Sequence, residues 1–448
     1  MTFSFMTEPV GPSLFRSTLV VGAASVLPKA MVLAKDVAIA AALGRGDALE
    51  AYLLALAIPT TLGLAASGAM APVLTPVFMR LQQDPSDKIT EIRGILAQAT
   101  VGLTILSALV FFLMLWFRVD IADLIAPGFS PDKKAMMAGV IPVLAASLLF
   151  SNLAGLWSGV LIAERRLAMA VAVPAAVPLT ILLALISGNM IADAKVLAFA
   201  TFCGAFIHAA LAGWAVQRRG WLVLPGWPKG LWLREGKNLY QQFFILVIGS
   251  MTLAATDLVD LSMAASLQAG DPAAVSFGAK ITMIVTVFGA GMLGTSTLPH
   301  FADLAQRNHQ AFIRSVRNVA LTVGMLGTAG TIFITLFGEA LVSLVFERGR
   351  FGEEDVKAVA AVNFMFAFQV PFYLAGIVLG RAVSAIGQNR ILTIGAFISL
   401  AVNIVGNYVL MQYLGAAGIA LSTSLMYVIS CLFLMFMLWH RLRNHGVT

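Results

Sequence analysis

Long apolar stretches alternate with short polar turns along almost the whole chain of 448 residues. A helix needs about 20 apolar residues to cross the hydrocarbon core of a bilayer. Stretches of that length lie at 15–43, 48–81, 92–117, 134–163, 167–188 and 194–217, and then at 239–268, 273–304, 312–346, 356–385, 390–412 and 415–440. The pattern predicts twelve membrane-spanning helices, 1 to 12, in two sets of six.

The two sets of six look like copies of one another. Phe129 stands in the turn before helix 4 and Phe351 in the turn before helix 10, at an offset of 222 residues. Pro76 in helix 2 is matched by Pro299 in helix 8, at an offset of 223. Weak similarity at a nearly constant spacing indicates an internal structural repeat, as in many transporters. Because each copy has an even number of spans, both enter the membrane from the same side, and we expect the substrate site between them.

Composition supports this interpretation and excludes a soluble domain. Hydrophobic residues make up 59% of the chain and charged residues 11%, and the mean hydropathy is +0.90. We therefore expect an all-α polytopic membrane protein with two six-helix lobes around a central cavity. The lobes are predicted at 1–217 and 239–448, joined by a polar cytoplasmic linker at 218–238.

The positive charges predict the orientation in the membrane. Of 29 Lys and Arg residues, 17 fall in the termini and in the loops after even-numbered helices, and 8 in the loops after odd-numbered helices. Positive charge marks the cytoplasmic side, so we expect both termini in the cytoplasm. The same bias accounts for the net charge of +7, and no nucleic-acid partner is needed to explain it.

Helix 1 carries charges where a membrane span is normally apolar. At about 1.5 Å per residue, Lys29 lies roughly 20 Å from Phe15, near the middle of a hydrocarbon core about 30 Å thick. Lys35 and Asp36 follow about two turns later. A charge at that depth is costly unless it faces water or a partner, so these residues are candidates for a substrate site. The alternative is that Lys35 and Asp36 reach the far interface and a neighbouring carbonyl holds Lys29.

A second polar set lies in the C-terminal half. Its members share helix faces on helices 7, 11 and 12: Asp257 and Asp260, Asn403 and Asn407, and Ser422, Thr423 and Ser424. Oxygen atoms that converge from three helices suit a small hard cation. Hydrogen bonding between helices, a common packing device in membranes, is the alternative interpretation.

The sequence contains no pattern typical of an enzyme. Cys203 and Cys431 both lie within apolar segments and are interpreted as small hydrophobic residues. The five histidines are scattered, and neither an HExxH nor a CxxC spacing occurs. We therefore expect a protein without catalytic residues and without a cofactor other than a coupling ion.

Several segments resemble one known family. They are KAMVLAKDVAIAAALGRGDALEAYLLALAIPTTL in helices 1 and 2, FGAKITMIVTVFGAGMLGTSTLP in helix 8, FERGRFGEEDV before helix 10, and GAAGIALSTSL in helix 12. Together they resemble the MurJ/MviN lipid II flippases of the multidrug/oligosaccharidyl-lipid/polysaccharide exporter superfamily. The resemblance implies a MATE-like fold whose cationic central cavity opens alternately to either side. It also implies transport of a lipid-linked saccharide, lipid II or a related precursor, across a bacterial inner membrane.

By position, the resemblance implies which residues contact the substrate. Lys29 and Lys35 stand for two arginines of the family, Asp36 for its aspartate, Glu50 for an aspartate of helix 2, and Lys280 for the arginine of helix 8. A lysine is a point charge and an arginine a planar fork, so the geometry of phosphate binding differs.

The resemblance also implies a sodium site in the C-terminal lobe. Its ligands would be Asp260 of helix 7, Asn403 and Asn407 of helix 11, and Thr423 with the backbone carbonyl of Ile419 in helix 12. Sodium is thus the expected coupling ion, and a proton taken up by Asp260 is the alternative.

The chain also departs from the family pattern. Gly63 and Met283 stand where the family usually has an arginine and a glutamate, and the family usually has two further helices after helix 12. The alternatives to a lipid II flippase are a flippase for exopolysaccharide or O-antigen precursors and a MATE-type multidrug/cation antiporter. The expected partners are the lipid-linked substrate and membrane lipids, and the expected state is a monomer.

Overall fold

The computed structural model describes residues 12–63, 88–164, 166–188, 193–221, 236–292 and 297–445. In this part of the chain the secondary structure is helical, with no strand. The first half contains α1 (Pro12–Leu43), α2 (47–63), α3 (Lys88–Trp116), α4 (Arg118–Ile125), α5 (Pro131–Ala163), α6 (Leu167–Ala172), a 3-10 turn (Val173–Ala175), α7 (Ala176–Ser187) and α8 (Ala194–Gln217). The second half contains α9 (Gly236–Ala264), α10 (Asp271–Met292), α11 (Thr297–Arg307), α12 (His309–Phe346), α13 (Glu353–Ala367), α14 (Val370–Ala385), α15 (Asn389–Leu414) and α16 (Ala416–His445).

Many of these helices are long and apolar enough to cross a membrane. In the described residues eight continuous helical segments qualify, one of which runs from α6 through the 3-10 turn into α7, and nine spans result if the bent pair α13 and α14 counts as one. Large apolar side chains such as Trp116 and Leu336 are exposed, 83% and 72%, as expected of side chains that face lipid. The protein is a multi-pass, all-α membrane protein.

The count of twelve spans stays a prediction. Most of predicted helix 2, beyond residue 63, lies outside the described residues, and so do residues 293–296 of predicted helix 8. The same holds for residues 222–235 of the predicted linker and for Pro76 of the repeat.

The bend between α13 and α14 follows from one proline. Pro371 lies in the first turn of α14, and the two helices meet at 42°. Proline has no N–H to donate to the carbonyl four residues earlier, which is that of Ala367. Thr331 of α12 supplies the missing donor, with Oγ1 2.7 Å from the Ala367 oxygen. A bend inside a membrane is stable when a neighbouring helix satisfies the freed backbone group in this way.

The hydrophobic cores show how the two halves meet. One core cluster takes residues from both halves, among them Ile39, Leu49 and Met137 from the first and Phe277 and Phe351 from the second. Two smaller clusters each belong to a single half. The shared cluster lies where α1 joins α2 and α12 joins α13, and the separate clusters lie at the opposite end of the bundle. We call the shared end the closed end.

Glycines allow the backbones of the two halves to touch at the closed end. Gly44 and Gly349 have φ values of +57° and +63°, a region that side chains with a Cβ rarely adopt. A Cβ on Gly349 would collide with the Ala41 backbone, and one on Gly44 would lie 2.9 Å from the Arg350 carbonyl oxygen. The Arg350 N–H donates to the Ala41 carbonyl at 2.9 Å. The turn before α13 is therefore hydrogen-bonded directly to the end of α1.

Candidate functional site

One carboxylate and two ammonium groups connect α1 to α10. Lys35 Nζ lies 2.7 Å from Asp36 Oδ1, and Lys280 Nζ lies 3.4 Å from Asp36 Oδ2. The Asp36 side chain is 7% exposed, whereas those of Lys35 and Lys280 are 19% and 29% exposed. A buried carboxylate thus holds two solvent-accessible cations that come from opposite halves of the chain. We call these three residues the lysine cluster.

Lys29 lies farther from the closed end than this cluster. It precedes Asp36 by seven residues, about 10 Å along α1, on the same helix face, and its side chain is exposed. Pro28 lies within α1 just before it. Lys29 is therefore placed as an outlying cation on the face that carries the cluster.

Glu50 lies in a buried ion pair at the closed end. Its carboxylate is paired with Lys133 of α5, and its Oε1 accepts a hydrogen bond from the Ala273 N–H at 3.4 Å. The Lys133 Nζ also lies 2.9 Å from Asp47 Oδ1 and 4.0 Å from the centre of the Phe129 ring. Glu50 is fully buried, and its contacts are with α5 and the first turn of α10. Its assignment to substrate binding stays a prediction.

Further polar contacts cross between the halves at the closed end. Arg45 Nε donates to Asp355 Oδ1 at 2.7 Å, and Arg45 Nη1 donates to the Gly270 carbonyl at 3.5 Å. Ser262 Oγ donates to the Ile125 carbonyl at 2.6 Å. With the glycine contacts, these bonds hold the two halves together on one side of the lysine cluster.

Sequence reasoning did not single out Lys133, Arg45 or Asp355. All three lie at helix ends next to turns, where charged residues are common on any membrane protein, so the sequence carried no signal that they meet. Arg45 and Asp355 are 310 residues apart and meet only because the two halves approach each other. Lys133 meets Glu50 because α5 packs against α2 within the first half.

The second polar set converges on Asp260. The Nδ2 atoms of Asn403 and Asn407 donate to Asp260 Oδ1 at 2.9 and 2.6 Å, and Thr423 Oγ1 donates to Asp260 Oδ2 at 2.9 Å. Thr423 Oγ1 also lies 3.2 Å from the Ile419 carbonyl oxygen. All four side chains are buried. The five residues predicted from the sequence are therefore brought together from α9, α15 and α16.

Two orphaned oxygens test whether this set fits a cation. The Oδ1 atoms of Asn403 and Asn407 are buried and have no hydrogen-bond partner in the described residues. Rotating each amide by 180° would turn those oxygens toward Asp260, alongside a hydroxyl and a carbonyl. Such an oxygen set suits a small hard cation. As placed, the amide nitrogens face the carboxylate, which is the arrangement of hydrogen bonding between helices.

The set does not resemble a transition-metal centre. In the described residues, no group of three or more His, Cys, Asp or Glu side chains is placed to hold a metal ion. A single carboxylate with neutral oxygens is the composition expected for a weakly held monovalent cation.

Comparison with known families places this geometry in context. A family model described as lipid II flippase MurJ matches residues 39–447. The chain belongs to the lipid II flippase MurJ family. The matched range includes Lys280 and the whole Asp260 set, and it begins three residues after Asp36. The family predicted from the sequence is confirmed.

Individual MurJ relatives and solved structures agree with this assignment. The chain is 25% identical over 430 residues to a probable lipid II flippase MurJ of Thermotoga maritima, covering 94% of this chain and 85% of the relative. A lipid II flippase MurJ structure in an inward closed conformation superposes with a TM-score of 0.79 at 16% identity, over 94% of this chain and 87% of that one. An inward-facing multidrug resistance MATE family transporter gives 0.71 at 16% identity, over 96% and 99%. The MATE-like, all-helical fold is confirmed.

The lysine cluster presents two ammonium groups, one from each half, to a ligand of opposite charge. Lys35 belongs to the first half and Lys280 to the second, and both are accessible next to the closed end. A ligand that replaces Asp36 as their partner would contact both halves at once. A ligand held in this way is sensitive to any movement of one half against the other.

Proposed function

We propose that this protein moves lipid II, a polyprenyl-pyrophosphate-linked saccharide, from the inner to the outer leaflet of a bacterial inner membrane. The observation that carries the proposal is the pair of accessible ammonium groups, Lys35 and Lys280, held from opposite halves on Asp36. Family membership supplies the class of substrate. The protein acts as a transporter and not as an enzyme, and one chain supplies both sides of the site, so a monomer suffices.

The charges of the cluster suit a pyrophosphate. Two lysines and one aspartate leave a net charge of +1, and Lys29 on the same face adds another. At an effective dielectric constant of about 20, two unit charges 4 Å apart interact by about 4 kcal/mol. A pyrophosphate with two or more negative charges therefore competes well with the single carboxylate of Asp36. Without an anion, Asp36 screens the two lysines from each other.

The contacts at the closed end support an inward-open state. We propose that the closed end faces the periplasm and that both termini are cytoplasmic, in accordance with the charge distribution. At the opposite end the two halves have separate cores, and we propose that the substrate enters there from the cytoplasmic leaflet. Opening the closed end would break the Arg45 to Asp355 ion pair and the Arg350 to Ala41 hydrogen bond.

A cationic drug is a less suitable substrate. The fold is shared with a multidrug MATE transporter, but accessible lysines repel a cation. Exopolysaccharide and O-antigen precursors carry the same pyrophosphate chemistry, so the lysine cluster by itself does not separate them from lipid II. Binding measurements with a panel of lipid-linked saccharides separate these substrates.

The test uses the purified full chain in lipid nanodiscs and in proteoliposomes. We expect lipid II to bind more tightly than other polyprenyl-pyrophosphate saccharides, and a cationic drug not to bind. Lys35→Ala and Lys280→Ala each remove a charge-assisted contact worth about 1.5–3 kcal/mol, so each weakens lipid II binding by about tenfold or more and abolishes flipping. The control is Lys357→Ala, an exposed lysine paired with Glu353, which leaves both unchanged. Normal flipping by a Lys29, Lys35 and Lys280 triple alanine variant would overturn the proposal.

We propose further that sodium at the Asp260 set is the coupling ion. The support is the convergence of oxygens from three helices and the two orphaned amide oxygens. A cation there would tie α9 to α15 and α16 and bias the shape of the second half. Asp260→Asn keeps the side-chain volume and removes the charge. We expect it to lose the sodium dependence of flipping and to retain lipid II binding; normal sodium-dependent flipping would assign the set to packing alone.

A further inference from the structure

Asp257 is a carboxylate close to the Asp260 set that neither proposed site uses. It precedes Asp260 by three residues on α9, so the two carboxylates project from neighbouring positions of one helix side. Asp260 is buried, whereas Asp257 is exposed. α9 packs against α15, which carries the two asparagines, and also against α10, which carries Lys280. Asp257 is thus an accessible carboxylate on the helix that packs against both α10 and α15.

Electrostatic interactions connect Asp257 to both sites. Its charge acts on Lys280 and on Asp260. Lys280 in turn is 3.4 Å from Asp36, which is 2.7 Å from Lys35. The charges alternate in sign from Lys35 through Asp36 and Lys280 to Asp257, and a cation bound at Asp260 would continue the alternation. Lys280 therefore has two carboxylates that compete for it, one on each side.

We propose that Asp257 couples cation binding at Asp260 to pyrophosphate binding at Lys280. The inference rests on the proposed function. When a pyrophosphate binds Lys280, the positive charge of Lys280 no longer neutralises Asp257. The negative charge of Asp257 then raises the affinity of the nearby Asp260 set for a cation. When a cation binds at Asp260, it neutralises the charge of Asp257, so Lys280 interacts less with Asp257 and more strongly with the bound anion. The two ligands thus favour one another.

Thermodynamic linkage makes this coupling reciprocal and measurable. Sodium must tighten pyrophosphate binding by the same factor as pyrophosphate tightens sodium binding. Couplings of this kind typically span about 5- to 150-fold. Because the path runs through one accessible carboxylate, we expect a value near the lower end, roughly 5- to 10-fold.

The experiment measures binding of undecaprenyl pyrophosphate to the full chain in nanodiscs, with and without sodium. Choline chloride replaces sodium chloride at constant ionic strength, so that screening of the lysines does not change. The variants are Asp257→Asn, Asp257→Glu and, as a control, Asp303→Asn, an exposed acid of the same half that pairs with Arg307. Sodium binding is measured separately by calorimetry on each variant.

For the unaltered chain, sodium tightens pyrophosphate binding roughly 5- to 10-fold. In Asp257→Asn, Lys280 has lost one competitor, so pyrophosphate binds at least as tightly without sodium, and sodium adds nothing. A residue with a merely structural role would weaken binding instead. Asp257→Glu restores part of the sodium effect, and Asp303→Asn retains all of it.

Three results would overturn the coupling, and they are distinguishable. If Asp257→Asn keeps the full sodium effect, Asp257 is not the connection. If the unaltered chain binds pyrophosphate equally with and without sodium, there is no coupling, although the proposed function stands. If the unaltered chain binds no undecaprenyl pyrophosphate at all, the proposed function fails and the coupling fails with it.

Discussion

Lys133 and Lys134 are adjacent in the sequence and lie in opposite environments. Lys133 is 5% exposed and is enclosed by Glu50, Asp47 and the Phe129 ring. Lys134 is paired with Asp123 at 2.9 Å, where the aspartate side chain is 60% exposed. A buried carboxylate that loses its partner retains an uncompensated charge, whereas an exposed pair is largely replaced by water.

The two lysines should therefore differ in how much stability depends on their charge. Lys133→Met is expected to lower the free energy of unfolding by about 3–5 kcal/mol, because Glu50 stays buried without its cation. Lys134→Met is expected to lower it by less than about 1 kcal/mol. Chemical denaturation of the purified variants in detergent, followed by circular dichroism, measures both.

A double variant separates the loss of charge from the loss of packing. If the uncompensated charge is the cause, Glu50→Gln combined with Lys133→Met recovers much of the stability that Lys133→Met loses. Equal destabilisation by Lys133→Met and Lys134→Met would contradict the buried ion pair.

Among the elements, the turn between α12 and α13 decides how closely the two halves approach. Gly349 lies in this turn at φ +63°, and a Cβ there would collide with the backbone of Ala41. Gly387, in the turn between α14 and α15, has a similar φ of +72°, but a Cβ there would meet no atom of the described residues within 4 Å. Both glycines have a positive φ that strains any substituted residue, but only Gly349 lies against the backbone of the other half.

We therefore expect Gly349→Ala to shift the protein toward states in which the closed end is open. Gly387→Ala should cost about 1–2 kcal/mol of stability through its backbone conformation and leave the closed end unchanged. The measurement is the distance distribution between spin labels at Asp132 and Gln268, both exposed, after replacement of the native cysteines. A closed-end distance that is identical in both variants would refute the role of Gly349.

For the whole molecule, the side of the membrane that the closed end faces is still a prediction. Asp132 and Glu354 begin α5 and α13 at the closed end, and Gln310 begins α12 at the other end. All three are exposed. We expect single cysteines at 132 and 354 to react with a membrane-impermeant reagent added outside intact cells. A cysteine at 310 should react only after the membrane is permeabilised. Reaction at 132 or 354 only after permeabilisation would invert the topology.

Much of the architecture was predictable because it depends on local hydrophobicity. A lipid solvent forces each backbone polar group to be satisfied within its own helix, so apolar length alone identifies helices such as α5 and α12. The bend before Pro371 was harder to anticipate from the sequence. A proline bends a span stably only where a neighbouring side chain, here Thr331, donates the missing hydrogen bond. The predicted helix 10 is accordingly one bent pair.

The candidate sites were predictable in part. Charged residues in a membrane span are rare and costly, so the sequence pattern was enough to single out Lys35, Asp36 and Asp260. It did not single out Lys133, because a lysine beside a turn is ordinary. The burial of Lys133 comes from the meeting of α2, α5 and α10, which no local pattern encodes.

The sequence by itself determined the class, the all-α membrane fold and the family, and it singled out the charged residues within apolar segments, because each of these follows from the composition of a short segment or from an ordered set of motifs. Only the tertiary structure decided which charges meet. It placed Lys280 rather than Lys29 on Asp36, paired Glu50 with Lys133, and brought Asp257 close enough to Lys280 for their charges to interact. The physical reason is that these contacts join side chains on different helices, so they depend on how the helices pack within each half and between the halves, which is a property of the whole molecule.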